Sequence, residues 1–278
     1  MWDSLPKIKT NEFSNPFTFS VISKQQENQE TAEALFWKEA LRKPAKNCNL
    51  PSVGTAEWFN QAEKLRYSHY GKWVPKLLEF SKHTGEKILC IGNGLGTDWI
   101  QYAKNGAEVW ALTSKDAPVD LIRLNFQAKS LDCKLRKLSG QGFPFASSSF
   151  DVIFLNDFCK DDIASDQLAQ EIQRILKPGG KLLTLSLAFY NLKYFIGKLF
   201  PTIHKNNEPK THYSAIELKS LFKFCQEPRV QKRHLQRNDL PPLFRWIPIP
   251  LIERMVGNQL VFKGFKPLCK PVAVLQAA

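Results

Sequence analysis

The chain has 278 residues, 43% hydrophobic and 23% charged, with a formal net charge of +13. That balance is one of an ordinary globular protein, long enough for one large domain or one with extensions at both ends. No apolar run reaches the ~20 residues of a membrane-spanning helix. The start, Met1-Trp2-Asp3-Ser4-Leu5-Pro6, has neither the basic nor the apolar stretch of a secretory signal, so a cytoplasmic protein is expected.

Residues 1–30 are polar, with Phe13, Phe17 and Phe19 as brief interruptions, and are expected to be loosely ordered. From Thr31 to Phe80 the pattern turns helical: Trp58, Phe59, Ala62 and Leu65 share one helical face. The period then changes. Lys87–Ile91 reads as a strand, Thr97–Asn105 as a helix closed by Gly106, and Ala107–Leu112 as a second strand. A helix over Asp116–Ser130, strands at Lys134–Leu138 and Phe150–Leu155, and a helix over Ile163–Leu176 follow. Pro178-Gly179-Gly180 is expected to stop that last helix, ahead of a strand at Lys181–Leu187. Strands alternating with helices of this length predict a parallel sheet covered on both faces. Further on, Ser214-Ala215-Ile216-Glu217 predicts a capping-box helix through Phe224, and Arg229–Leu235 and Gln259–Phe265 read as strands.

The first strand runs into Gly92-Asn93-Gly94-Leu95-Gly96-Thr97-Asp98. A strand, a glycine-rich turn and a helix make a nucleotide site because glycines let a ligand approach the backbone and the helix start offers unpaired N–H groups. Dinucleotide oxidoreductases use a similar turn.

The later segments separate the two. Lys87–Gly96, Gly106–Leu112, Gly142-Phe143-Pro144-Phe145 with Ser149-Phe150-Asp151-Val152-Ile153, and Glu171-Ile172-Gln173-Arg174-Ile175-Leu176-Lys177-Pro178-Gly179-Gly180 stand in order over about 100 residues. Together they resemble the class I S-adenosylmethionine-dependent methyltransferase family, in its type 11 group. Phe36-Trp37 and Arg66-Tyr67 resemble, more weakly, an N-terminal extension of some bacterial members. The resemblance implies a Rossmann-like, doubly wound α/β fold with a seven-stranded, mostly parallel sheet completed by an antiparallel C-terminal hairpin. It also implies three parts: a helical cap over residues 1–80, the cofactor-binding core over 81–190, and a basic part over 191–278 that completes the sheet and carries lid segments.

By the same resemblance, S-adenosyl-L-methionine is the expected cofactor, held by Cys90, Gly92, Asn93, Gly94, Gly96, Asp98, Thr113, Ser114, Ser139, Gly140 and Asn156. The pattern departs from the family at three acids. Cys90 stands where an acid usually ends the first strand, Thr113 where an acid usually binds the ribose hydroxyls, and Ser139 or Gly140 where an Asp usually meets the adenine. Such a charge-assisted contact contributes roughly 1.5–3 kcal/mol, and each ~1.4 kcal/mol lost weakens binding tenfold. Asp98, Ser114 and Asp116 are the nearest candidates to compensate.

After the fourth strand, where many relatives carry a histidine pair, the chain reads Asn156-Asp157-Phe158-Cys159-Lys160-Asp161-Asp162. Asp157, Lys160 and Asp161 are the candidates for general-base or substrate work; the competing reading is a polar loop capping the next helix. Tyr67, His69 and Tyr70 are the candidates to line the acceptor site. None of the five histidines falls in a catalytic motif. The six cysteines form no C-x-x-C pair, so free thiols and no metal site are expected.

Residues 191–278 carry 15 Lys and Arg against 5 Asp and Glu, so this part holds most of the net charge. It predicts an anionic surface or a phosphorylated substrate as partner, against a merely solvated face. Tyr190–Phe200 and Leu240–Met255 mix aromatic, aliphatic and basic residues. They read first as packing against the sheet, and second as an interfacial helix or lid, which would make the protein membrane-peripheral. No RNA-binding module is visible, which ranks nucleic acid lower. Two functions compete: methyl transfer to a small-molecule, lipid-linked or glycan-type acceptor, and a methyltransferase fold that has lost its cofactor and serves as a binding or scaffolding partner.

Overall fold

The computed structural model describes residues 30–41, 49–68, 71–114, 118–138, 142–156, 164–192, 194–195 and 212–268. Five strands run parallel in the order β3-β2-β1-β4-β5: β1 (Lys87–Gly92), β2 (Glu108–Thr113), β3 (Lys134–Lys137), β4 (Phe150–Asn156) and β5 (Leu176–Ala188). β8 (Gln259–Phe265) pairs antiparallel with β5, and β7 (Gln226–Arg233) antiparallel with β8. Among these seven, β8 alone therefore runs against the others. A two-residue strand, β6 (His212–Tyr213), pairs with the end of β5 and raises the expected seven strands to eight.

β1 is apolar from Ile88 to Ile91 because a central parallel strand is buried on both faces. Ile88 and Cys90 join one core with Trp99 and Ile100 of α4 (Thr97–Lys104) and Ile122 and Phe126 of α5 (Val119–Gln127). Leu89 and Ile91 join the other with Leu168, Ile172 and Ile175 of α6 (Ser165–Ile175). The strand order reverses between β1 and β4, the switch point at which open α/β sheets form their ligand crevice.

Two helices precede the sheet: α1 over residues 30–39 and α2 (Ala56–Arg66), which Thr55 caps. Phe36 of α1 meets Trp58 of α2, and both cluster with Leu95 of the glycine turn. Between α2 and β1 lie α3 (Val74–Leu78) and a 3₁₀ turn at Phe80–Lys82. The N-terminal helices are thus seated on the loop after β1.

The capping box forms as expected: Glu217 N donates to Ser214 Oγ at 3.0 Å, and Ser214 N to Glu217 Oε2 at 3.3 Å. The helix it starts, α7 (Ala215–Leu221), ends three residues before the expected Phe224. Pro178-Gly179-Gly180 does not act as a loop between α6 and a strand at Lys181. Leu176 already pairs with Phe150, and an irregularity before the Lys181–Val152 pair absorbs the extra residues. In the C-terminal part, two 3₁₀ turns, Arg237–Asp239 and Pro242–Phe244, lead to α8 (Ile249–Val256). No helix among the described residues is long and apolar enough to cross a membrane.

Candidate functional site

The ends of β1 and β4 lie side by side, with Gly92 in register with Asn156. A Cβ on Gly92 would fall 2.2 Å from the Asn156 carbonyl oxygen, so only glycine allows this approach. The turn then crosses from β1 to α4. Asn93 Oδ1 accepts from Ser114 N at 3.0 Å, which ties the turn to the end of β2. Gly94 exposes bare backbone towards a side chain from outside the motif: a Cβ there would lie 2.4 Å from Glu39 Oε1. Glu39, at the end of α1, also accepts from Leu95 N at 2.7 Å. Gly96 then leads into α4.

Glu39 belongs to a buried charge cluster. Arg66, closing α2, donates from Nε to Asp98 Oδ1 at 2.6 Å and from Nη2 to Asp98 Oδ2, a bidentate pair. Its Nη1 donates to the Glu39 carbonyl at 2.7 Å and lies 3.3 Å from Glu39 Oε2. Tyr67 donates its hydroxyl to Asp98 Oδ1 at 2.8 Å. Arg66, Asp98 and Glu39 are 3%, 1% and 4% exposed, so two carboxylates share one guanidinium away from water. Burial raises the Glu39 pKa; Arg66 opposes this and Asp98 adds to it. Burial works against the Arg66 charge, yet the two carboxylates hold it firmly protonated. Burial, reinforced by the Asp98 charge, pushes Tyr67 well up.

Both oxygens of Asp98 are engaged by Arg66 and Tyr67. Cys90 does not end its strand, which continues to Gly92; its thiol lies in the core with Trp99 and Tyr102, and burial raises its pKa well above the usual range. Thr113 does end β2, but its hydroxyl is buried and donates to Arg136 O at 3.4 Å. Tyr67 packs edge-on against Phe80. The candidates His69, Tyr70, Asp116, Ser139, Gly140, Asp157, Lys160 and Asp161 lie outside the described residues.

A narrow space adjoins the turn, and a wider one continues from it. Glu39, Arg66, Gly94, Asn156, Leu185 and Gln259 bound the narrow one of about 10 Å³, which has room for about one water. Past it opens a cavity of about 500 Å³, which shares Lys38, Leu41 and Gln259 with the first. His212 of β6 and, beyond β7, His234 and Asp239 contribute to its wall. Gln259, 6% exposed, carries a side-chain oxygen with no hydrogen-bond partner among the described residues, an arrangement that costs about 1–3 kcal/mol until a donor answers it.

Sequence reasoning missed Glu39, His212, His234 and Gln259. Glu39 had left a signal: an acid three residues after Phe36, on the apolar face of its helix, must find a partner inside.

Residues 89–184 match the family model described as a methyltransferase domain. This match and the strand order mark that stretch as a methyltransferase domain of Rossmann-like fold. Among known proteins, the chain is similar to sterol 4-C-methyltransferase strm-1 of Caenorhabditis elegans, 24% identical over 225 residues, which covers 69% of this chain and 64% of the relative. It is also similar to the biotin biosynthesis bifunctional protein BioHC of Cellvibrio japonicus, 38% identical over 96 residues, which covers 34% of this chain and 18% of the relative. The chain thus spans less than two thirds of each of these relatives. A crystal structure of a SAM dependent methyltransferase from Aquifex aeolicus shares the fold, with a TM-score of 0.53 at 14% identity over 76% of this chain and 98% of that one.

Proposed function

We propose that the protein is an S-adenosylmethionine-dependent methyltransferase acting on a small-molecule, lipid-linked or glycan-type acceptor. The observation that carries this reading is the Glu39 carboxylate on the glycine turn, beside Gly94 and Asn156. The motif's own acidic positions are neutral, yet an acid is delivered to the turn by a helix outside the motif. Glu39 carries the charge that the ammonium group of an amino-acid moiety seeks, and Arg66, whose nitrogens are engaged by Asp98 and Glu39, holds that acid in place, so the Glu39 carboxylate fits the methionine end of the cofactor. Asn93, Gly92, Gly94, Gly96 and Asn156 would form the backbone cradle, with Thr113 and Ser114 towards the ribose. When bound, S-adenosylmethionine supplies an electrophilic methyl group. The chain's share is then to position the acceptor, exclude water and receive one proton, work for which Asp157, Lys160 and Asp161 remain the candidates.

Calorimetry with S-adenosylmethionine and S-adenosylhomocysteine tests the reading. One site of micromolar Kd is expected; no heat and no thermal shift at millimolar ligand overturns it. The second reading, a fold that no longer holds the cofactor, is favoured by the narrowness of the space between Glu39 and Gly94 and by the neutral Thr113. A gain in cofactor affinity on Thr113→Asp would support decay of a former site.

We further propose that the basic C-terminal part docks on an anionic lipid surface, a reading supported by exposed apolar side chains between arginines on and before α8.

A further inference from the structure

Gln259 heads β8, in register with Leu187 of β5 on one side and Arg233 of β7 on the other. Its side chain is buried, its Oε1 lacks a partner among the described residues, and it borders both the narrow space at the glycine turn and the wide cavity. A carboxamide oxygen accepts only, so what answers it is an O–H or N–H group. Buried polar atoms in folded proteins nearly always have such an answer, from protein, water or ligand. The surrounding wall shares this chemistry: Gln236, Asn238 and Asn258 add three more carboxamides, while that of Asn191 is spent on Ala188 O and Tyr194 N. Carboxamides present donors and acceptors together, the complement of a cluster of hydroxyls. A sterol ring system would desolvate these groups without replacing their hydrogen bonds. Trp37, Leu41, Leu187 and Leu192 supply an apolar portion that suits one face of a ring.

We infer that the wide cavity binds a compact polyhydroxylated or amino-polyol ring of the sugar type, free or as a lipid headgroup. Gln259 Oε1 accepts a hydrogen bond from the ligand's O–H or N–H nearest the glycine turn. That this ligand is the methyl acceptor rests on the methyltransferase reading; that the cavity binds it does not. The volume of about 500 Å³ lies within the range of small-molecule sites.

The test is saturation-transfer NMR and calorimetry on the full chain. The probes are glucosamine, myo-inositol, octyl glucoside below its micelle concentration, and cholesterol hemisuccinate as the apolar counter-probe. Glucosamine or myo-inositol is expected to bind with millimolar or tighter Kd, and Gln259→Leu to weaken that binding at least about tenfold with the melting temperature held. Should Gln259→Leu fail to fold, Asn238→Leu, at an exposed position, is expected to weaken binding about threefold. Tighter binding of octyl glucoside than of glucosamine identifies a lipid-borne headgroup; equal binding identifies the free sugar. The inference is overturned if no polyol binds at tens of millimolar, if the folded variant binds as well as the parent, or if cholesterol hemisuccinate displaces the polyol. Cofactor titration of the same sample separates the two readings. Polyol binding without cofactor binding keeps the cavity and removes the methyltransferase; cofactor binding without polyol binding does the reverse.

Discussion

Glu39 and Arg66 carry the electrostatics of the candidate site, and each leads to a prediction. Glu39→Gln keeps the shape and the acceptor for Leu95 N but removes the charge. On the proposed function, S-adenosylmethionine affinity falls about 10- to 100-fold, or ~1.4–2.8 kcal/mol, by calorimetry. Unchanged or tighter binding would show that the carboxylate does not face the ligand's cationic end. Arg66→Met removes the guanidinium that bridges two buried carboxylates, so the unfolding free energy in urea is expected to drop by about 3–5 kcal/mol. A loss under ~1 kcal/mol would mean that the pair is solvated in solution. The sequence announced the glycines and Asn93 because their constraints are local, set by a turn of a few residues. It did not announce Glu39, which meets Leu95 from 56 residues away, nor Asp98's engagement with Arg66 across 32. Packing of α1 and α2 decides those contacts, and nothing near residue 95 encodes that packing.

Among the elements, β1, β2 and β4 were legible because each is a short, largely apolar run that burial on both faces demands, whereas β3, Lys134–Lys137, is a mostly exposed edge strand with Leu135 as its one apolar residue. The start of β5 was not, because Pro178-Gly179-Gly180 reads locally as a break. Pairing of Leu176 with Phe150 and of Lys181 with Val152 overrides that local reading and accommodates Gly179 at φ +76° in an irregular stretch. A second device between elements has a pH signature. Glu79, following α3, receives Lys181 of β5 at 2.8 Å, Lys263 of β8 at 2.7 Å and Lys82 at 3.1 Å. Burial works to raise its pKa, but the three ammonium groups prevail and hold it down to about 2. A carboxylate depressed in the folded state stabilises the fold above its ordinary pKa of 4.5, and that stability is lost as pH falls from there through about 2. After allowance for screening at the partly exposed lysines, the contribution is roughly 2 kcal/mol. Glu79→Gln is therefore expected to lower the melting temperature at neutral pH and to flatten its fall between about pH 4.5 and pH 2. Parallel melting curves for parent and variant across that window would refute the clasp.

At the scale of the whole molecule, charge and apolar exposure coincide on and before α8. Phe244, Trp246, Leu251 and Met255 are 48%, 79%, 61% and 69% exposed, and Arg245 and Arg254 beside them face solvent. Leu251 and Met255 stand four residues apart on α8, hence on one face. Lys232 Nζ donates to Tyr190 O at 2.6 Å and to Met255 O at 2.7 Å, which joins the exposed Tyr190 to the same region. The wide cavity draws Asn191 and Leu192 from the chain just past Tyr190, so a surface engaged here would lie near its wall. An apolar patch flanked by arginines matches the boundary of an anionic bilayer, where rings and aliphatic chains enter the acyl edge and each cation near the surface adds about 1 kcal/mol. Vesicles of phosphatidylglycerol and phosphatidylcholine are accordingly expected to float the protein at low salt and to release it as salt rises. The double substitution Trp246→Glu with Leu251→Glu touches no described core residue and is expected to cut the bound fraction about tenfold while leaving the melting temperature in place. Equal flotation by purely zwitterionic vesicles would assign the binding to apolar contact alone. Absence of flotation at low salt would leave the basic part as a solvated face, with the exposed tryptophan awaiting a protein partner instead.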